Sequence, residues 1–471
     1  MSSQPATRER ARVDFTTGVP WQKILLFAYP LMLSSVLQQL YNTVSGIIVG
    51  RGVSHIGLAA VGLSGPFLRV LTSFFMGISL GGNVLIAQHY GARDQVRCKR
   101  TVHTAIILAM IAGLVLSTVG MLMSPLILRW MGAPEDVYPM ALTYMRLLFS
   151  GLLFQLLYNM MSGFLRGMGE TRIQLSVLAV TSVVNAVLCW IFVIFFQWGI
   201  AGAAGATVIS QCLSVTLLYS RLQSNDWTRI SFKELILHST EAKEFLKIGL
   251  PTGIQQVTMS LTGMVVMGFI SSYGTISIAG NSIGNTIDMY LMMPVSALNM
   301  SVAPFTAQNL GAGRMDRAFQ GTKQVMMLTL CSSAILGSTV LIFKEPLLRM
   351  FTDNEATIAA GMVMLNIMVP VHLINAMSSP LGDTIRGAGD TITPMFNALM
   401  TAVGVRIPVL IALNQVFNRI EVVYFSHVIA QLYGLAFMTF MFHKGKWRKN
   451  ALLRIEALQS NAAAPPSESK A

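Results

Sequence analysis

The feature that most limits what this chain can become is a series of twelve apolar runs. Each reaches the ~20 residues that a helix needs to cross a hydrocarbon layer of ~30 Å. They fall at 21–49, 58–89, 101–124, 139–165, 173–196, 201–222, 245–272, 278–308, 321–343, 358–381, 393–415 and 422–442, and they fill most of the 471 residues. A backbone in lipid has to satisfy its own hydrogen bonds, which runs of this length do as helices. The composition agrees: 11% of residues are charged, 53% are hydrophobic and the mean hydropathy is +0.60, whereas a soluble domain is about 25% charged. The expected fold is an all-α integral membrane protein with twelve transmembrane helices.

A net charge of +13 raises the question of nucleic acid, and the placement of the cations answers it. With the N-terminus inside, 25 of the 33 Lys and Arg residues fall on cytoplasmic segments, five fall outside and three (Arg69, Arg146, Arg406) fall within spans. This is the positive-inside bias, which orients helices and attracts anionic lipid. No basic stripe with interleaved aromatics calls for a nucleic-acid partner. An even number of spans puts both termini in the cytoplasm. Arg8, Arg10 and Arg12 precede a first span too long for a secretory signal, so residues 1–20 read as an uncleaved cytoplasmic arm. Cys98, Cys189, Cys212 and Cys331 stand apart from one another, which argues against a disulfide framework or a structural zinc site. The Ala/Pro/Ser-rich end of the tail, from Asn461, reads as disordered.

The chain also repeats itself. AQHYGA at 87–92 returns as AQNLGA at 307–312, RGMGET at 166–171 returns as RGAGDT at 386–391, and Pro30 matches Pro251, a shift of 220 or 221 residues. Because the shift spans six helices, the two halves begin on the same membrane face and are related by a pseudo-twofold axis along the membrane normal. The expected domains are an N-lobe at 21–222, a cytoplasmic connector at 223–244, a C-lobe at 245–443 and a cytoplasmic tail at 444–471. Duplicated helical halves commonly act as lobes that rock about a site. The repeated loops carry Arg166, Gly167 and Gly169 in one half and Arg386, Gly387 and Gly389 in the other. They read as structural hinges and anchors, with glycine where helices turn and arginine where cytoplasmic charge belongs.

These loops, together with the run LQQLYNTVSGIIVGRGVSHIGLAAVGLSGP at 37–66 and GIAGAAGATVISQ at 199–211, resemble the multidrug and toxic compound extrusion (MATE) family of bacterial transporters. The resemblance implies a V-shaped pair of six-helix lobes. It also implies export of mostly cationic or amphipathic molecules by alternating access, driven by inward H⁺ or Na⁺ across the bacterial inner membrane. No other cofactor is implied, and a monomer is expected.

Polar side chains at helical spacing within the spans mark a bundle interior or a cavity. Gln38, Asn42 and Ser45 share one face of the first span, Gln155 and Asn159 one face of the fourth, and Asn185 and Thr207 add to them from the fifth and sixth. The resemblance implies an N-lobe proton site here, yet the positions of Ser45 and Cys189, which are usually or often Asp in the family, lack their carboxylates. In the second half Asn281, Asn285 and Asp288 follow at i, i+4 and i+7, and His372, Asn375 and Asp383 lie along the tenth span. Asp288 is the deepest acid in any span and the leading candidate for binding a coupling ion or a cationic substrate, against a structural salt bridge with Arg69. Gln255 and His427 are secondary candidates. No metal-ligand cluster or catalytic motif is found, which disfavours a membrane-embedded enzyme. A flippase of lipid-linked precursors and an uncoupled facilitator stay open as alternatives.

Overall fold

The computed structural model describes residues 12–53, 55–231, 235–445, 447–449 and 451–452. Arg8, Arg10, the middle of the connector (232–234) and the tail beyond residue 452, including its expected disorder, lie outside the described residues. Among those described, every regular element is helical. The elements are α1 (Pro20–Gly52), α2 (His55–Gly91), α3 (Gln95–Trp130), α4 (Tyr138–Gly167), α5 (Thr171–Trp190), α6 (Gly199–Gln223), α7 (Ser239–Ser272), α8 (Thr275–Gly311), α9 (Met315–Ile342), α10 (Lys344–Arg349), α11 (Glu355–Gly387), α12 (Ile392–Leu399), α13 (Ile407–Phe417) and α14 (Glu421–Lys444). Alpha-helix passes into π-helix over Ile191–Phe195 after α5, and over Met400–Arg406 between α12 and α13.

Among the described residues, eleven helical stretches are long and apolar enough to cross a membrane. The eighth expected span is α8, which has the length, at 37 residues, but not the apolarity. The reason is in its sequence: Asn281, Asn285, Asp288, Asn299, Gln308 and Asn309 all lie on it. A helix this polar is tolerated in hydrocarbon only where it is packed on protein, and α8 buries nineteen of its residues. The short α10 and the π-helical interruption of the eleventh span were not foreseen.

The chain forms two compact units. The first contains 33–90 and 94–249 with Arg12 and Val13; the second contains 14–32, 91–93 and the chain from 250 onward. The division within α1 comes just after Pro30, whose ring removes a backbone donor from the helix. In the first unit α4 packs against α3 and α6. A Cβ on Gly113 would meet Leu153 Cδ1 at 2.7 Å, so only glycine lets α3 and α4 approach this closely. Met145, Phe149, Leu152 and Leu128 fill the contact.

In the second unit α8 packs against α11 and α9, and α11 against α14. The α8–α11 contact is again built on small residues, since a Cβ on Gly280 would meet Ala360 Cβ at 2.7 Å and one on Gly284 would meet Met364 Sδ at 2.5 Å. Asp288 is the next position along this face, at i+4 from Gly284, so the close approach that the glycines permit also aims Asp288 at α11.

Residues 12–19, which precede α1, are held by specific contacts. Arg12 pairs with Glu170, and Val13 N–H donates to the Gly169 carbonyl at 3.2 Å. Burial works against the charge on Arg12, but Glu170 and Tyr90 hold its guanidinium above the ordinary value. The next residues belong to the second unit: Phe15 is wholly buried against Phe27 and Phe305. Its carbonyl accepts from Asn309 Nδ2 at 3.2 Å and Arg317 Nε at 3.0 Å, and its N–H donates to Gln308 Oε1 at 3.2 Å.

Candidate functional site

The second unit holds a buried acid–base pair. His372 Nε2 and Asp288 Oδ1 lie 2.5 Å apart, with side chains 6% and 16% exposed. The other ring nitrogen, His372 Nδ1, is buried and has no partner among the described residues. The partner of Asp288 is therefore His372 rather than Arg69, whose side chain is exposed on α2. A carboxylate–imidazole pair can hold one proton or two, and imidazole is the side chain that changes charge near neutral pH. Asn281, seven residues before Asp288, is buried and accepts from the Tyr424 hydroxyl at 3.3 Å. Asn285 is exposed and does not join the pair.

A second acid in this unit has a different partner. Asp383 Oδ1 lies 2.5 Å from Arg386 Nη1, and Arg386 Nη2 donates to Gln255 Oε1 at 2.9 Å. A guanidinium does not lose its proton in proteins, so this pair holds a fixed charge arrangement. It lines one part of a cavity of about 240 Å³ that is also bounded by Asn375, His427 and Arg406. Gln255, Asn375, Asp383 and His427, read from sequence as candidates on three helices, are thus brought together, while Asp288 and His372 do not line this space. His427 lies within electrostatic reach of both Arg406 and His372.

The first unit has a cavity of about 290 Å³ lined by Gln38, Gln155, Asn159, Asn185 and Thr207, as the spacing indicated. It also takes in Tyr41, Tyr158 and Gln211, which were missed. Gln211 was legible, one turn beyond Thr207 on the same face. Tyr41 lies beside Ser45 and Thr207. No carboxylate lines this space. Ser45 is half-buried outside the lining, Asn42 is exposed, and Cys189 sits in an apolar cluster with Val193 and Ala206. Asn185 is buried, and its amide nitrogen has no partner among the described residues.

The repeated loops take the same form in both units. Gly169 and Gly389 have φ of +83° and +92°, the left-handed region that glycine enters without strain. Two residues earlier a Cβ would strike backbone: the Asn83 carbonyl oxygen at 2.7 Å from Gly167, and the Ala303 carbonyl oxygen at 2.6 Å from Gly387. The arginines differ. Arg166 is buried with Gln174 as a distant partner at 3.4 Å, whereas Arg386 has a carboxylate.

Two six-helix repeats, each with a polar cavity inside a bundle of membrane-length helices, describe a transporter scaffold. The MatE family profile matches residues 30–191 and again 251–411, more than half of the chain and once in each half. The chain belongs to the MatE family. Among curated relatives, the probable multidrug resistance protein YoeA of Bacillus subtilis is 29% identical over 445 residues, covering 92% of this chain and 96% of that protein. The probable multidrug resistance protein NorM of Thermotoga maritima is 24% identical over 443 residues, covering 93% and 95%. A MATE protein crystallised in the bent conformation superposes with a TM-score of 0.85 at 20% identity, covering 96% of this chain and 99% of that one, which shows a shared fold. The MatE chain described here is thus a multi-pass membrane protein with two homologous halves.

Proposed function

We propose that this MatE chain is a secondary active multidrug exporter that exchanges amphipathic organic compounds for inward H⁺. The multidrug names carried by its relatives in Bacillus subtilis and Thermotoga maritima support the cargo class. The observation that supports the coupling ion is the His372–Asp288 contact at 2.5 Å. Of the two acids buried in spans of the second unit, Asp383 faces a permanent cation, while Asp288 faces a group that can gain or lose a proton. In the deprotonated pair the Asp288 carboxylate stands beside a neutral imidazole, and its negative charge favours a cationic cargo in the unit; a proton taken up by the pair cancels that charge and disfavours it. That alternation is what antiport requires, since each ligand must favour a different state.

In this reading 21–222 and 245–443 work as lobes, the chain is a monomer in a bacterial inner membrane, and both termini are cytoplasmic. It is a transporter without catalytic residues. The test is purified protein in liposomes loaded with ethidium, with ΔpH and ΔNa⁺ imposed separately. A proton gradient alone should drive dye movement. Response to ΔNa⁺ alone overturns the choice of ion, and equilibration indifferent to both gradients overturns coupled transport.

A further inference from the structure

Arg406 sits on the Met400–Arg406 π-helical stretch, between α12 and α13. No carboxylate or carbonyl of the described residues pairs with it, and its Nε is buried without a partner. Its placement depends on the π turn. Asn397 and Thr401, one α-turn apart, line the second unit's cavity. In a continuous α-helix Arg406, five residues past Thr401, would point about 140° away from that face. A π turn stacks residue i on i+5, so Arg406 lines the same cavity instead. The cavity's other cation, Arg386, is neutralised by Asp383. The remaining lining adds neutral groups that can donate hydrogen bonds, among them Asn375, Asn397, Thr401 and Gln431.

A permanently charged guanidinium inside a membrane-spanning bundle is costly unless it is paired or faces a wet cavity. Here it faces the cavity, whose one lining carboxylate, Asp383, is already paired with Arg386. We propose that the second unit's cavity binds a small organic anion, with a carboxylate, sulfonate or phosphate seated on Arg406 and its apolar body against Met259 and Met438. As a statement about binding, this stands on the cavity alone; as a statement about cargo, it rests on the export reading above. The same anionic chemistry is carried by the phosphate of an anionic lipid, and the experiment separates the two sources.

The protein is placed in nanodiscs of phosphatidylcholine alone, and binding of 2-naphthoate and of its uncharged counterpart 2-naphthamide is followed by calorimetry. The anion should bind about tenfold more tightly than the amide or better, as charge-assisted pairing with a guanidinium allows. Arg406→Gln should abolish the difference, and Arg406→Lys should keep most of it. In nanodiscs containing phosphatidylglycerol, unchanged naphthoate affinity assigns the site to free anions. Weakened affinity that Arg406→Gln no longer shows assigns it to the lipid phosphate. Equal affinity of parent protein for acid and amide, with no effect of phosphatidylglycerol, overturns the proposal without recourse to any variant. So does a preference that survives Arg406→Gln. Because the readout is binding in the absence of a gradient, a failure of coupled export in liposomes leaves this result standing, and the reverse also holds.

Discussion

Replacing Asp288 by Asn tests the coupling reading at its centre. The amide keeps the size of the side chain and a hydrogen bond to His372, but the pair can no longer exchange a proton between carboxylate and ring. The pair takes up one proton, so one proton moves per cycle against one monovalent cation. One pH unit is worth about 1.4 kcal/mol, so the parent should hold a dye gradient of about tenfold per unit of ΔpH, independent of membrane potential because the exchange is electroneutral. In Asp288→Asn that ratio should fall to one. Loss of the charged partner in a contact only 6% and 16% exposed should cost about 1–3 kcal/mol of stability, small enough for the variant to insert and be purified. Asp288→Glu, which keeps the acid but displaces it by a methylene, should retain part of the gradient. The assay is steady-state ethidium accumulation in proteoliposomes at ΔpH of zero, one and two units. An Asp288→Asn protein that still concentrates dye with ΔpH, while Asp383→Asn does not, would refute the assignment and move the proton to the Asp383–Arg386 pair.

Two further outcomes probe the frame that carries the site. Phe15→Ala removes a wholly buried ring packed on Phe27 and Phe305 and should lower stability by about 3–5 kcal/mol, read as an earlier thermal melt of the purified protein; an unchanged melt would mean the N-terminal segment is not anchored there. Gly389→Ala places a Cβ at φ +92° and should cost about 1–2 kcal/mol, while the same change at Gly263, an ordinary helical position with open space, should be close to neutral in the same melt.

How much could be read in advance depended on whether function follows the helical period. The twelve spans, the duplication and the polar positions Gln155, Asn159, Asn185 and Thr207 on three successive spans were legible because lipid enforces length and because polar residues in hydrocarbon gather on the inward face of each helix. The loops were legible for a local reason: glycine at 169 and 389 answers to backbone geometry, which does not depend on distant contacts. The partner of Asp288 was not. Arg69 was suggested by its equivalent place in the repeat, but the pairing is set by Gly280, Gly284 and Gly361, which bring α8 and α11 close enough for Asp288 to meet His372. Such a contact spans 84 residues of sequence, and no periodicity on either helix alone reports it.

Arg406 was misjudged for the opposite reason, that the period itself changes. Counted at about 100° per residue, it leaves the face of Asn397 and Thr401, and in the sequence it stands out only as a cation within a span. The seven π-helical residues return it to the cavity. The unit therefore holds two half-buried cavity arginines with different consequences. Arg386 lies in a regular helix three residues from Asp383, so its charge is answered within one turn of its own chain. Arg406 lies where the helix is widened and has no acid one turn away in either direction. Whatever neutralises it has to come from outside the helix that carries it, which makes this position, rather than the paired arginine, the one where the chemistry of a bound ligand is decided.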